Sequence, residues 1–162
     1  MFQDEGRFGI MTTIGRQWVE KGKDFVIKTK QGRENMYSYA AVSPENGSMV
    51  IESYEKANTD AMQAFLKKVD HEMKHAPILM IMDRAAWHTT QKLSIPKDIL
   101  LLFLPPTSPQ LNLVEYLWKH IRSEKFHNVI FNTLADTYAA MKEVVSELVP
   151  EKLKTLCACS YL

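Results

Sequence analysis

Cysteine is almost absent from this chain: only Cys157 and Cys159 occur, one alanine apart near the C-terminus. A single spacer residue makes a disulfide between them awkward, and two thiols alone do not complete a zinc site. Both are read as reduced thiols, which points to a cytoplasmic protein. Long apolar runs are missing too, since none approaches the roughly 20 residues needed to cross a bilayer. The opening Met1-Phe-Gln-Asp-Glu5 lacks the basic and apolar regions of a signal peptide, so neither export nor membrane insertion is expected. No Gly/Ser linker, low-complexity tract or internal repeat interrupts the sequence, and residues 1–162 are expected to form a single domain. Net charge is only +1. A nucleic-acid surface must therefore come from local clustering of basic residues.

What is present is an ordinary globular composition, 46% hydrophobic and 24% charged, compatible with a sizeable core. Residues 2–10 alternate, with Phe2, Asp4, Gly6, Phe8 and Ile10 on one side, which reads as a strand. Arg16 to Arg33 is a basic stretch, a candidate DNA-contacting loop or hairpin that includes Lys21 and Lys23. Residues 36–42 and 49–54, around Asn46-Gly47, read as a β-hairpin. Asn58 caps a helix of roughly sixteen residues that Pro77 should stop. The unbroken apolar runs 78–82 and 99–104 read as strands buried on both faces, joined by a short helical connection. Two helices, about 111–126 and about 133–147, follow the proline-rich turn. The second carries Leu134, Tyr138, Met141, Val145 and Leu148 at near-helical spacing and is expected to pack on its own sheet. This order predicts an α/β fold with a mixed sheet covered by helices.

Three carboxylates stand out by position. Asp4 lies within the first strand on the side of Phe2 and Phe8, with Glu5 as its rival on the other side. Asp83 ends a buried strand, where ligands gather in α/β sheets. Glu115 sits in the first turns of a helix, where an acidic residue also suits the helix dipole. Carboxylate oxygens are the preferred ligands of a hard cation such as magnesium, which relieves their mutual repulsion.

The segment Leu104-Pro-Pro-Thr-Ser-Pro-Gln-Leu-Asn-Leu-Val-Glu-Tyr-Leu-Trp118 resembles the signature around the last acidic residue of mariner-type DDE transposases, most closely their bacterial insertion-sequence branch. Met82-Asp-Arg-Ala-Ala-Trp-His88 is similar to the block around the second aspartate, and Phe2-Gln-Asp-Glu-Gly-Arg-Phe8 to the block around the first. Trp18 with Lys21-Gly22, and Ala41-Val-Ser-Pro-Glu-Asn-Gly47, also look like segments of that family. Arg84 departs from the family, where asparagine is frequent.

The resemblance implies a ribonuclease H-like fold, a mixed five-stranded sheet flanked by helices. It implies that Asp4, Asp83 and Glu115 form the catalytic and metal-binding triad for two Mg2+ or Mn2+ ions. The implied activity is cleavage and strand transfer at transposon ends. The alternatives are a metal-dependent nuclease of the same fold and a non-catalytic DNA-binding remnant. Double-stranded DNA is the implied partner, as terminal repeats and target, met by a homodimer in the bacterial cytoplasm and associated with the nucleoid. Relatives carry N-terminal helix-turn-helix modules not expected in this sequence, so either it is a fragment of a longer chain or a DNA-binding half from a separate or frameshifted reading frame is a further expected partner. Lys119 and Arg122, on the helical face of Glu115, are candidate DNA contacts beside the metals. His88 is a further candidate DNA contact and is also read as a supporting residue behind the site next to Asp83, and Trp118 is read as core.

Overall fold

A computed structural model describes residues 1–158 of the chain; the expectation for Cys159 lies outside the described residues. The strands are β1 (Phe2–Gly9), β2 (Asn35–Val42), β3 (Met49–Tyr54), β4 (Ile78–Met82) and β5 (Ile99–Phe103). They form one mixed sheet of order β3-β2-β1-β4-β5. The first three are antiparallel, while β1–β4 and β4–β5 are parallel. β1 is therefore central, and the chain reverses its pairing sense there.

The β2–β3 hairpin turns as its Asn-Gly pair predicts, with Gly47 at φ +72° and Ser43 N–H donating to Ser48 O at 2.8 Å. Helix α1 (Thr59–Glu72) is capped by Asn58, whose side chain accepts from Ala61 N–H. It ends before Pro77 is reached, because Lys74 and His75 adopt left-handed backbone, φ 54° and 58°. Its buried residues Met62, Phe65, Leu66 and Val69 cover one sheet face with Tyr39, Val50, Met80 and Met82. The other face is covered by α2 (Val114–Lys125), α3 (Leu134–Ser146) and α4 (Pro150–Leu156).

Two expectations are corrected. The β4–β5 connection contains no helix: residues 83–98 run through consecutive turns, with His88 N–H donating to Ala85 O and Leu93 N–H to Thr90 O. His88 is held by partners on both sides of its ring, which ties this segment to the sheet edge in place of a helical ladder. The last part of the chain holds a third helix, α4, started by Pro150 at its N-terminus. Buried Leu153 and Cys157 complete the core under α2. Of the two forms expected for the basic stretch, loop or hairpin, it takes the first, an irregular exposed arm. It is tied at its base by Thr12 N–H donating to Lys30 O at 3.0 Å and by a Thr13–His127 bridge. α3 does pack on the chain's own sheet, with Met141 and Leu148 buried, while Tyr138 is 39% exposed.

Candidate active site

Strand alternation sends Asp4 toward the α2 side of the sheet. Two residues on, Gly6 has no side chain; a Cβ there would press to 2.8 Å from both Phe8 and Trp118. That close approach lets Trp118, 1% exposed, lie flat on β1 and stack edge-on against Phe8 at 5.7 Å. Its indole N–H donates to Asp4 Oδ2 at 2.9 Å. Trp118 is thus core, as expected, and also the polar anchor of Asp4.

Asp83 follows the last residue of β4, so its carboxylate projects beyond the carboxyl edge of the sheet. Its Oδ1 accepts from Ala85 N–H at 3.1 Å. Glu115 lies in the first turn of α2, facing out. Asn112 sets that turn: its Oδ1 accepts from Val114 N–H at 3.3 Å, and its Nδ2 donates to Gln3 O on β1 at 2.8 Å. One side chain so joins the strand of Asp4 to the helix of Glu115. Nothing in the sequence pattern beyond its place in the Leu-Asn motif marks this role.

Asp4, Asp83 and Glu115 line one cleft of about 330 Å3, walled by Arg84, the Leu104–Pro106 turn and Pro109. Arg84 lies over the Phe103 ring, 5.6 Å from its centroid. Burial, then the nearby Glu115 and Glu5 charges, push the Asp4 carboxyl up to about 7, against the Trp118 hydrogen bond. Asp83 stays below the usual carboxylate range, chiefly through its hydrogen bond from His88, which outweighs partial burial. The tightest potential ligand group among the described residues lies elsewhere, at Asp70, His75 and Asp98, with ligand atoms within 4.8 Å of one another. The cleft carboxylates are not gathered that closely.

The basic candidates separate. Lys119 is exposed on the helix that carries Glu115, and Lys21 and Lys23 are exposed on the arm, Lys23 paired with Glu20. Arg122 is half-buried, its guanidinium 5.1 Å from the centroid of the Phe8 ring. On α2, His120 Nδ1 lies 3.8 Å from Glu124 Oε1, and Lys125 pairs with Glu143. His88 is corrected: at 3% exposure it faces no solvent and offers no surface to DNA. Its Nε2 donates to Glu5 Oε1 at 2.8 Å, and its Nδ1 lies 3.0 Å from Asp83 Oδ1. Burial alone would depress its pKa, but these hydrogen bonds prevail and push it up to about 10, so the ring carries both protons. Glu5, in sequence a rival to Asp4, faces the opposite side of β1 and is the partner of His88.

An acidic cleft at the carboxyl edge of a 3-2-1-4-5 mixed sheet fits the ribonuclease H-like class of fold. The chain belongs to the DDE superfamily endonuclease family, whose model matches residues 1–137. An uncharacterized protein, y4pE/y4sA of Sinorhizobium fredii (strain NBRC 101917 / NGR234), is 34% identical over 121 residues, 74% of this chain and 90% of that protein. Among solved structures, the Mos1 transposase paired-end complex with the left transposon end matches with a TM-score of 0.72 at 13% identity. The match covers 96% of this chain and 50% of that one. The mariner Mos1 paired-end complex with Mg matches at 0.68, with 13% identity and the same coverage. The one with Mn matches at 0.67, again with 13% identity and that coverage. These likenesses establish the ribonuclease H-like fold, and the chain spans about half the length of the Mos1 chains.

Proposed function

We propose that this chain is the catalytic domain of a DNA transposase, cutting and joining strands at transposon ends with Asp4, Asp83 and Glu115 as its metal-binding and catalytic carboxylates. The observation that carries it is the single cleft onto which β1, β4 and α2 each deliver one of these residues. The donor set suits a hard cation: three carboxylates, one of them buried and reluctant to ionise without a neighbouring positive charge. Mg2+ or Mn2+, two ions per site, would polarise the scissile phosphate and lower the pKa of the attacking water or hydroxyl. Asp4 would hold from the floor of the cleft, kept in place by the Trp118 indole. Asp83 and Glu115 would hold from its rim, Asn112 keeping the latter's helix registered on β1.

The partner in this reading is double-stranded DNA, as terminal repeats and as target. Lys119 beside the cleft and Lys21 and Lys23 on the arm meet its phosphates. A homodimer joins paired ends, and a separately encoded DNA-binding half supplies end recognition. The site of action is the bacterial cytoplasm, at the nucleoid. Among the described residues no helix is long and apolar enough to cross a membrane.

The test is cleavage of a labelled duplex bearing the element's terminal repeats, with Mg2+, Mn2+ or Ca2+, comparing wild type with Glu115→Ala and Asp83→Ala. Nicking that requires Mg2+ or Mn2+ and vanishes in both variants is the expected result. Activity retained by Asp83→Ala would sink the residue assignment. Cleavage with no strand transfer would leave a nuclease of the same fold. Failure to bind metal, with DNA binding retained, would leave a DNA-binding remnant.

A further inference from the structure

Asp4 and Glu5 are adjacent acidic residues that point to opposite faces of β1. Asp4 reaches the cleft directly. Glu5, its side chain only 8% exposed, turns under the β4–β5 connection. There its Oε1 accepts from His88 Nε2 at 2.8 Å, Gln3 Nε2 at 3.0 Å and the Trp87 indole at 3.4 Å. His88, with a side chain 1% exposed, spans from this carboxylate to Asp83, its Nδ1 donating to the backbone O at 3.1 Å and lying 3.0 Å from Oδ1. The His88 N–H closes a turn on Ala85 O, so the ring is fixed by its backbone as well.

Asp83 contrasts with these neighbours. Its side chain is 58% exposed on a segment beyond the last residue of β4, where apart from His88 it is held by the Ala85 N–H at 3.1 Å. Burying the Glu5 carboxylate against an imidazole is a poor way to gain stability, because desolvation offsets most of the attraction. Their arrangement is well suited to a different task, since hydrogen-bonded partners behind a metal-binding carboxylate fix its direction.

We propose that Glu5 and His88 form a buried brace that sets the orientation of the Asp83 carboxylate for metal binding, both acting as positioning residues. This rests on the reading of Asp83 as a metal ligand. Both sides of β1 then serve the same cleft, Asp4 from within it and Glu5 through the imidazole to Asp83.

The experiment is calorimetric titration of Mn2+ into DNA-free protein, with the Mg2+ dependence of duplex nicking followed in parallel. It compares wild type with Glu5→Gln, His88→Ala, their double variant and Asp83→Asn. Leu93→Ala, a buried position of the same connection outside the network, controls for lost stability. Glu5→Gln and His88→Ala should each weaken Mn2+ binding about 10–100-fold. The double variant should match His88→Ala, because Glu5 acts only through the ring. Nicking by both single variants should recover most of its rate at saturating metal, and Leu93→Ala should bind as wild type does even where its melting temperature falls. Wild-type affinity in Glu5→Gln and His88→Ala, with Asp83→Asn weakened, would overturn the brace alone. Additive losses in the double variant, or an equal loss in Leu93→Ala, would also overturn it. Unchanged affinity in Asp83→Asn, or no binding by the wild-type chain, would overturn the reading beneath it.

Discussion

Asp4 concentrates the conflict between folding and chemistry at a single residue. Burial, Glu115 and Glu5 raise its pKa to about 7, far above that of a carboxylate in the unfolded chain. Between these two values the folded state holds a proton that the unfolded state has released. Asp4 therefore favours the fold on the acid side, and this contribution is lost as pH rises through about 7. In EDTA the melting temperature of the wild type should fall between about pH 4 and pH 7 relative to Asp4→Asn. That variant should be the more stable protein at pH 8 and inactive in cleavage. Thermal denaturation across pH checks both, and parallel pH profiles would contradict the buried-acid account. Trp118→Ala should cost about 3–5 kcal/mol by urea denaturation, since it removes a fully buried ring from the core beneath the site. Trp118→Phe should keep most of that stability while losing the hydrogen bond to Asp4.

At the scale of elements, β1 and α2 are joined at one polar point. Asn112 is 4% exposed and pairs with Gln3 O on the strand and Val114 N–H on the helix. Asn112→Ala should destabilise the protein by about 1–3 kcal/mol, leaving a buried carbonyl without its donor. It should also lower cleavage by letting the first turn of α2, and Glu115 with it, shift relative to Asp4. Urea titration and a cleavage time course measure the two effects separately. The arm between β1 and β2 behaves otherwise. Trp18 is fully exposed and Val26 is 84% exposed, so this element contributes little to the core. The double substitution Lys21→Glu with Lys23→Glu should change stability by no more than about 0.5 kcal/mol. It should weaken DNA binding and reduce the slope of log K against log salt by about 2. An unchanged slope would remove the arm from the DNA interface.

For the whole molecule, metal binding and folding are linked. A divalent cation held only by the folded state, at about 100 times its Kd, adds roughly 2.7 kcal/mol. For a domain of this size that raises the melting temperature by about 5–11 °C. Differential scanning fluorimetry with Mg2+ or Mn2+ should show the rise in wild type and not in Asp83→Asn. A rise that survives in Asp83→Asn would place the cation elsewhere. Asp70, His75 and Asp98 are the first group to substitute in that event.

Much of this architecture was legible from local pattern. All five strands follow from alternation, unbroken apolar runs and the Asn46-Gly47 turn, and α1 follows from Asn58 and its apolar spacing. These signals are local, because backbone geometry and side-chain periodicity act within a few residues. The three acidic positions were marked by element ends and by motif likeness. Their shared cleft depends on sheet order, which places β1 beside β4 and lays α2 across β1. Only tertiary structure could bury His88 and give it to Glu5, since residues 83 positions apart meet through the register of two strands and a turn. The irregular 83–98 connection was likewise invisible, because its conformation follows from those long-range hydrogen bonds and not from local propensity. The sequence by itself determined the five strands, α1 to α3 and the acidic residues; the fold decided α4, the irregular connection, which of those residues share a cleft and which carboxylate stands behind the one that faces it.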